Sequence, residues 1–290
     1  MSQWLKIKRK IFEKRKEIVQ KPDLRMPNGR LITAGSALPR FQNNYIENGA
    51  RHVLFTGKYN NMPVKIYEVH NEAHAQFIAL TTSSCEQKGI FPNILWTQGR
   101  FVVAEWIAEE NKKPVQTSQL VELLARVQDL KLIENSGDVF DYWRHFVSPR
   151  FLRAAELIGE EKNGIKIIDE IDQYWDEQSP FLSHPDVTAS NFIFSKDKRV
   201  YIIDNEFLSI GRLRDLDFYN LRNAVPKSEW VEATNLWERK RGGHADKDEH
   251  RITEMAWKAR VIGSLLQVGN LNKMISTFDK CIDIFKSKQK

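Results

Sequence analysis

Two short apolar runs, residues 192–194 and 200–203, are flanked by side chains that carry carboxylate or amide oxygens. The four flanking side chains are Asp186 and Asn191 before the first run, and Asp204 and Glu206 after the second. The polar segment between the runs predicts a turn, so the whole stretch is typical of a β-hairpin. Because a hairpin brings its two ends together, we expect the four side chains to converge on one point.

Oxygen ligands of this kind suit a divalent cation such as Mg²⁺. A carboxylate beside such a cation can also accept the proton of a hydroxyl nucleophile. Phosphoryl transfer needs both functions, together with in-line positioning of the reacting groups. The residue types and their order therefore indicate a phosphoryl-transfer site.

The order His184-x-Asp186-x4-Asn191, followed by Ile203-Asp204-x-Glu206, resembles the catalytic core of the aminoglycoside phosphotransferase and choline kinase superfamily. The members of that superfamily are small-molecule kinases built on the protein-kinase-like fold. Their pattern continues through a glycine to an Asp-x-x-Asn element, and here Gly211 leads to Asp217-Phe218-Tyr219-Asn220. An unrelated acidic hairpin remains the alternative explanation, since motif matches can arise by chance.

The resemblance implies that ATP and Mg²⁺ are the cofactors. It assigns Asp186 to orient and deprotonate the acceptor hydroxyl, and it assigns Asn191 and Asp204 to hold Mg²⁺. Supporting roles fall to three further residues: His184, Glu206 and Asp217.

The N-terminal half contains a lysine where these kinases place the one that contacts the α- and β-phosphates. Lys65 lies between Val64 and Ile66 in a predicted strand that forms a hairpin around Asn60-Asn61. The helix predicted from Asn71 onward makes Glu72 the candidate partner of Lys65, with Glu68 or an exposed Glu72 as alternatives.

Two further features of the nucleotide site follow from the resemblance. A second hairpin ends at Glu105, and backbone groups from Glu105 to Ile107 are expected to receive the adenine edge. The segment 48–50 falls where a phosphate-covering loop is expected, although it holds one glycine and does not match a glycine-rich signature.

The predicted fold class is therefore α+β, a bilobal protein-kinase-like fold. We predict a basic amphipathic helix over residues 1–22, a small β-rich N-lobe over 23–107, and a larger helical C-lobe over 108–290. The C-lobe helices are predicted at 118–130, within 138–177, and at 227–240, 248–268 and 271–286. The aromatic residues within 138–177 suggest either helix–helix core packing, which we favour, or an aromatic box for a quaternary ammonium group.

Composition narrows the class of protein. The 290 residues are 41% hydrophobic and 28% charged, which is ordinary for a globular protein. The two cysteines, Cys85 and Cys281, are far apart and form no metal-binding motif, which favours a reducing compartment. No apolar run reaches the length of a transmembrane helix, and the N-terminus is charged where a signal peptide is apolar. We therefore expect a cytoplasmic protein.

The net charge of +6 belongs to one segment of the chain. Residues 1–21 contain eight Lys or Arg and two Glu, which leaves 36 residues of each sign in the remainder. The balanced remainder argues against a nucleic-acid binder. The basic segment also carries an apolar stripe, so it is either a helix docked on the body, which we favour, or a helix lying on anionic membrane at the inner surface.

The sequence thus predicts an ATP-dependent phosphotransferase that acts on a hydroxyl of a small molecule or glycan. The alternative is a non-catalytic kinase-like protein that binds a nucleotide or a partner. A protein kinase is disfavoured, because Asp204 is followed by Asn205-Glu206 and the Asp-Phe-Gly and Ala-Pro-Glu signatures are absent.

Overall fold

The computed structural model describes residues 23–26, 31–37, 54–85, 89–110, 115–132, 140–196 and 198–287. The basic segment 1–21, the predicted helix 1–22 and the loop 48–50 lie outside the described residues. The chain divides into two compact units. The first comprises Met1–Pro114, Leu132–Phe140 and Phe192–Phe207, and the second comprises Val115–Lys131, Asp141–Asn191 and Leu208–Lys290.

An antiparallel sheet dominates the first unit, with strand order β1-β2-β3-β4-β6-β5. Its strands are β1 (Leu24–Arg25), β2 (Leu31–Ala37), β3 (Leu54–Tyr59), β4 (Met62–Glu68), β5 (Ile94–Gln98) and β6 (Phe101–Glu105). The predicted turn at Asn60-Asn61 is confirmed, because Tyr59 pairs with Met62 and both asparagines have positive φ. Asparagine tolerates that backbone conformation, which a tight hairpin of this kind requires.

Alternation along β4 determines which side chains the sheet buries. Val64 and Ile66 are 1% and 0% exposed and pack with Phe55 and Val103 in the core. Successive side chains of a strand point to opposite faces, so Lys65 lies on the other face from Val64 and Ile66.

The helix that follows β4 is α1 (Glu72–Cys85). The predicted cap is present, because Asn71 Oδ1 accepts a hydrogen bond from the backbone N–H of His74 at 2.8 Å.

The predicted hairpin around residues 195–198 also belongs to the first unit. Strand β8 (Phe192–Phe194) pairs with β9 (Val200–Ile202), with Phe192 opposite Ile202. The backbone N–H of Ile202 donates to the Ile90 carbonyl, and that of Glu110 donates to the Phe194 carbonyl. The sequence boundary at residue 107 had assigned this hairpin to the C-lobe.

The second unit is mainly helical. Its helices are α2 (Thr117–Gln128), a π-helix (Trp143–Val147), α3 (Ser148–Ile158), α4 (Glu161–Glu177), α5 (Arg214–Asn220), α6 (Trp230–Arg241), α7 (Lys247–Val268) and α8 (Leu271–Ser287). A short pair of strands, β7 (Phe181–Ser183) and β10 (Ser209–Gly211), completes it. The glycines after α6 and α7, Gly242 and Gly269, take left-handed conformations that end those helices, close to the predicted ends at 240 and 268.

Aromatic side chains fill the core of the second unit. Trp143 and Trp175 are 0% and 3% exposed, with ring centroids 6.0 Å apart. Phe151 stacks on Phe278 at 5.1 Å. These two tryptophans therefore pack in the core, which is the role that we favoured for the aromatic residues within 138–177. Within the described part of the chain, no helix is long and apolar enough to cross a membrane.

A buried ion network joins α5, α6 and α7. Arg241 Nη1 lies 2.7 Å from Asp215 Oδ2 and Nη2 lies 2.9 Å from Glu249 Oε2, with the three side chains 9–19% exposed. Trp237 Nε1 also donates to Asp215, at 2.7 Å. Breaking a buried pair from one side leaves an uncompensated charge.

Arg241→Gln should therefore lower the free energy of unfolding by about 3 kcal/mol or more. The matched control is Arg144→Gln, because Arg144 pairs with Asp176 at the surface, where the side chains are 44% and 58% exposed. That loss should cost less than about 1 kcal/mol. Urea unfolding of both variants measures the difference, and equal losses would contradict a structural role for the buried network.

Candidate active site

The first unit holds a cleft with apolar walls and a charged end. The cleft is open to solvent, and its empty volume, including the open side, is about 530 Å³. Its apolar walls include Leu54, Ala104, Ile107, Ile193 and Ile203. Its polar lining consists of Lys65, Tyr67, Glu105, Asp204 and Asn205. A mostly apolar cleft with a few convergent polar groups is typical of a small-molecule site.

Lys65 lies at the charged end and contacts two carboxylates. Its Nζ forms an ion pair with Asp204 Oδ1 and lies 3.6 Å from Glu206 Oε2. The three side chains are 12%, 15% and 10% exposed. One cation against two carboxylates leaves a negative charge in a mostly buried place, which favours the arrival of a further cation.

The partner predicted for Lys65 was wrong. Glu72 is exposed at the start of α1, where its Oε1 lies 3.5 Å from Gln76 Nε2. Glu68, the alternative, pairs with Arg100. Lys65 meets its carboxylates on the β9 side of the cleft, because Asp204 lies two residues beyond the end of β9 at Ile202. The backbone of Asp204 takes a left-handed conformation with φ of 62°. Such a conformation is uncommon for a residue other than glycine and often marks a functional position.

Two buried polar atoms of the cleft have no hydrogen-bond partner among the described residues. They are the Tyr67 hydroxyl and Asn205 Oδ1. Burial raises the pKa of Tyr67 well above its usual range, and the charges of Glu206 and Asp204 raise it further, so the hydroxyl stays protonated. Buried polar groups in native proteins are nearly always satisfied, and these two atoms are therefore suited to a bound ligand.

The backbone beside the cleft offers one donor of the predicted kind. The N–H groups of Glu105 and Trp106 donate to the carbonyls of Asn93 and Pro63. The N–H of Ile107 makes no hydrogen bond within the described residues. The Glu105 side chain accepts from Asn93 Nδ2 at 3.1 Å and so fixes the end of β6.

The second unit holds the other predicted residues, centred on the loop after β7. Asn191 Nδ2 donates to the Asp186 carbonyl at 2.8 Å and to Asp186 Oδ2 at 3.1 Å. This fixes the amide, whose Oδ1 accepts from Ser190 Oγ at 3.3 Å and is the Asn191 atom that could ligate a metal ion. The Asp186 side chain is 31% exposed and accessible to a reactant, whereas His184 is fully buried and suited to bracing the loop.

Helix α5 holds this loop in place through two residues on one of its faces. Asp217 accepts from Ser183 Oγ at 2.8 Å and from the backbone N–H of His184. Asn220, one turn later, donates from Nδ2 to the Pro185 carbonyl at 2.8 Å. Residues three apart lie on one helix face, so the Asp-x-x-Asn element holds both sides of the segment before Asp186.

Sequence reasoning missed three contacts in this unit. Arg260 on α7 places Nη2 3.2 Å from Asp186 Oδ1, and its Nε lies 3.3 Å from the Tyr142 hydroxyl. Gln128 Nε2 lies 3.4 Å from Asp217 Oδ2. The sequence gives no sign that α7 lies at the Asp186 loop. Tyr67 was also missed, but it could have been found, because it lies two residues after Lys65 on the same face of the strand.

Each unit offers one oxygen ligand of the kind that Mg²⁺ prefers: a carboxylate of Asp204 in the first and the amide oxygen of Asn191 in the second. Within the residues that the structure describes, no group of three or more His, Cys, Asp or Glu side chains is arranged to hold a metal ion. A mixed set with few protein ligands is consistent with the preference of Mg²⁺ for phosphate and water oxygens.

Comparison with known proteins gives the fold. No protein-family model matches the chain, and no curated protein does. The choline kinase LicA from Streptococcus pneumoniae has a similar structure, with a TM-score of 0.56 and 11% identity over 88% of this chain and 94% of that one. The complex of LicA with AMP gives a TM-score of 0.51 at 11% identity, over 96% and 98%. The gentamicin complex of APH(2″)-IIa gives 0.53 at 15% identity, over 83% and 92%. The chain therefore has the protein-kinase-like fold of aminoglycoside phosphotransferases and choline kinases, as its motifs predict.

Asp217 makes the stability of the protein depend on pH. Burial raises the pKa of Asp217 from 3.8 to about 6, against the lowering effect of its hydrogen bonds from Ser183 and Gln128. Because the folded-state pKa is the higher one, the folded protein binds the proton more tightly. The contribution of Asp217 is then fully present below its unfolded-state pKa and is lost as the pH rises through about 6.

The free energy of unfolding of the native protein, relative to that of Asp217→Asn, should therefore fall by roughly 3 kcal/mol from acidic to neutral pH. Urea unfolding of both proteins across that range measures the difference. The control is Asp176→Asn, which changes an exposed carboxyl. A difference for Asp217→Asn that does not change with pH would contradict the assignment of a buried, protonatable carboxyl.

Proposed function

We propose that this chain is an ATP-dependent phosphotransferase that moves the γ-phosphoryl group to a hydroxyl of a small molecule or glycan. The observation that carries the proposal is the cleft in the first unit. Its apolar walls end in a buried cluster of Lys65, Asp204 and Glu206, and two polar atoms beside the cluster lack partners among the described residues. This combination suits a purine with an attached polyphosphate.

Different residues of the cleft would bind the adenine and the phosphates of the nucleotide. The adenine would lie between the apolar walls, with its edge on the N–H of Ile107. Lys65 is the cation that would contact the α- and β-phosphates, as lysines do in this reaction class. LicA, which has the same fold, forms a complex with AMP, and this supports nucleotide binding by this chain.

Mg²⁺ is part of the proposal, and Asn191 and Asp204 are its proposed protein ligands. When bound, it would neutralise the charge that develops on the phosphate oxygens during transfer. Glu206 would support Asp204 by holding Lys65 from a second side.

The acceptor would bind at Asp186. Its carboxylate is partly exposed and is oriented by Asn191 and Arg260, so one oxygen can receive the proton of the acceptor hydroxyl as the hydroxyl attacks the γ-phosphorus. His184 and Asp217 keep the loop in place and take no part in proton transfer. The reducing compartment that the cysteines favour is also where ATP is available, which supports a cytoplasmic location.

Asp186→Asn and Asp204→Ala should separate the two halves of the reaction. Asp186→Asn should lower phosphoryl transfer and the slow hydrolysis of ATP by at least about a hundredfold, while leaving the affinity for Mg·ATP unchanged, because the base acts on the acceptor. Asp204→Ala should weaken Mg·ATP binding itself by at least about tenfold. Calorimetry and release of ADP measure the two quantities, with Asp176→Asn as the surface control.

Wild-type turnover in Asp186→Asn would exclude Asp186 as the base. Unchanged Mg·ATP affinity in Asp204→Ala would exclude the metal assignment. If the wild-type protein binds Mg·ATP but neither transfers nor hydrolyses it, the chain is the non-catalytic kinase-like binder that the sequence left as the alternative.

A further inference from the structure

The guanidinium of Arg260, beside Asp186, has more N–H donors than it uses within the described residues. Arg260 uses Nη2 for Asp186 Oδ1 and Nε for the Tyr142 hydroxyl, and its side chain is 13% exposed. Within the described residues the guanidinium makes no other hydrogen bond. A guanidinium has five N–H donors, so three are available to a ligand that approaches Asp186.

A second arginine lies close to the same tyrosine. Arg150, 4% exposed on α3, places its guanidinium 4.3 Å from the centre of the Phe146 ring, and Nη2 lies 2.6 Å from Gln267 Oε1. Phe146 stacks on Tyr142 at 5.0 Å. Burial raises the pKa of Tyr142, and the positive charges of Arg260 and Arg150 act against that rise, so both arginines reach this hydroxyl electrostatically.

The π-helix Trp143–Val147 builds this arrangement. It lies between Tyr142 and α3, and it brings Tyr142, Phe146 and Arg150 to one face. Such segments are rare and often occur at functional sites. The charges of Asp186 and Asp217 act on Arg260, and burial raises the pKa of Asp217 to about 6.

The same contacts disfavour a cationic acceptor. A quaternary ammonium group is usually held by open aromatic faces. Tyr142 and Phe146 stack on one another, and Arg150 covers Phe146. The cluster of Tyr219, Trp230 and Trp257 already holds the guanidinium of Arg222, at 4.9–5.3 Å from the ring centres. Arginine forks instead match carboxylate and phosphate oxygens.

We propose that the hydroxyl acceptor of this chain carries a carboxylate or phosphate group that binds Arg260. This rests on the proposed function, because it requires the acceptor to lie at Asp186. The acceptor would thus be a sugar acid, a phosphorylated sugar or polyol, or a glycan that displays such a group, and it would differ in charge from choline and gentamicin.

Calorimetry with four simple probes tests the proposal: gluconate, glucose 6-phosphate, glucose and choline. The proteins are the wild type, Arg260→Gln, Arg260→Lys and the control Arg239→Gln, which alters an exposed arginine on α6. The anionic probes should bind the wild type at least about tenfold more tightly than glucose or choline. Arg260→Gln should lose this preference, Arg260→Lys should keep part of it, and Arg239→Gln should keep all of it.

Three results would overturn the proposal: glucose or choline binding as tightly as the anionic probes, a preference that survives in Arg260→Gln, or no binding of either anionic probe at about 10 mM.

If thermal melting shows that Arg260→Gln does not fold, Arg260→Lys and Tyr142→Phe test the proposal in its place. Tyr142→Phe should weaken the anionic probes several-fold and leave glucose unchanged, and equal effects on both would count against the proposal. Mg·ATP affinity, measured on the same samples, should be equal in all of them. Its absence from the wild type would instead overturn the proposed function.

Discussion

Both carboxylates of the proposed chemistry are held by a cation within their own unit: Asp204 by Lys65, and Asp186 by Arg260. A carboxylate removed from water loses much more free energy than an ordinary polar group, unless an opposite charge or hydrogen bonds compensate. The surroundings follow from this constraint. Strand β4 supplies Lys65 from the face opposite its core residues, and helix α7 supplies Arg260 to a loop that α5 fixes from another side. Each pair compensates the charge of its carboxylate and orients it, and metal binding and proton transfer require an oriented carboxylate.

Local patterns in the sequence predict most of the elements. The hairpin turns at Asn60-Asn61 and before β9 follow from residue preferences that act over a few residues, and so do the α1 cap at Asn71 and the helix ends at Gly242 and Gly269. The first C-lobe helix was predicted at 118–130, whereas α2 begins at Thr117, because Gln119 reaches back to the backbone N–H of Gln116. Patterns of alternation carry no information about which distant segment a hairpin joins. The sequence therefore assigned residues 192–207 to the C-lobe, whereas the compact units group them with the sheet.

The site was predictable where one short segment carries it. Asp186, Asn191, Asp217 and Asn220 fall within one stretch, and the structure joins them by hydrogen bonds through the loop and α5. The partner of Lys65 was not predictable, since the choice between Glu72 and Asp204 depends on where β9 lies beside β4. Arg260 lies on α7, 74 residues beyond the aspartate that it contacts, and an arginine on a long helix has no local signature. The proposed charge of the acceptor and the orientation of Lys65 depend on these contacts, so tertiary structure adds most to the prediction of specificity.

The measurement that tests the central claim most directly follows the γ-phosphoryl group itself. The wild-type protein is incubated with Mg²⁺, a metabolite and glycan extract, and ATP that carries a heavy-oxygen label on the γ-phosphoryl group. Mass spectrometry then locates the label. The account predicts labelled phosphate attached through oxygen to an organic acceptor, in an amount that depends on Mg²⁺. Label that remains in ATP, under conditions where the protein is saturated with Mg·ATP, would contradict it.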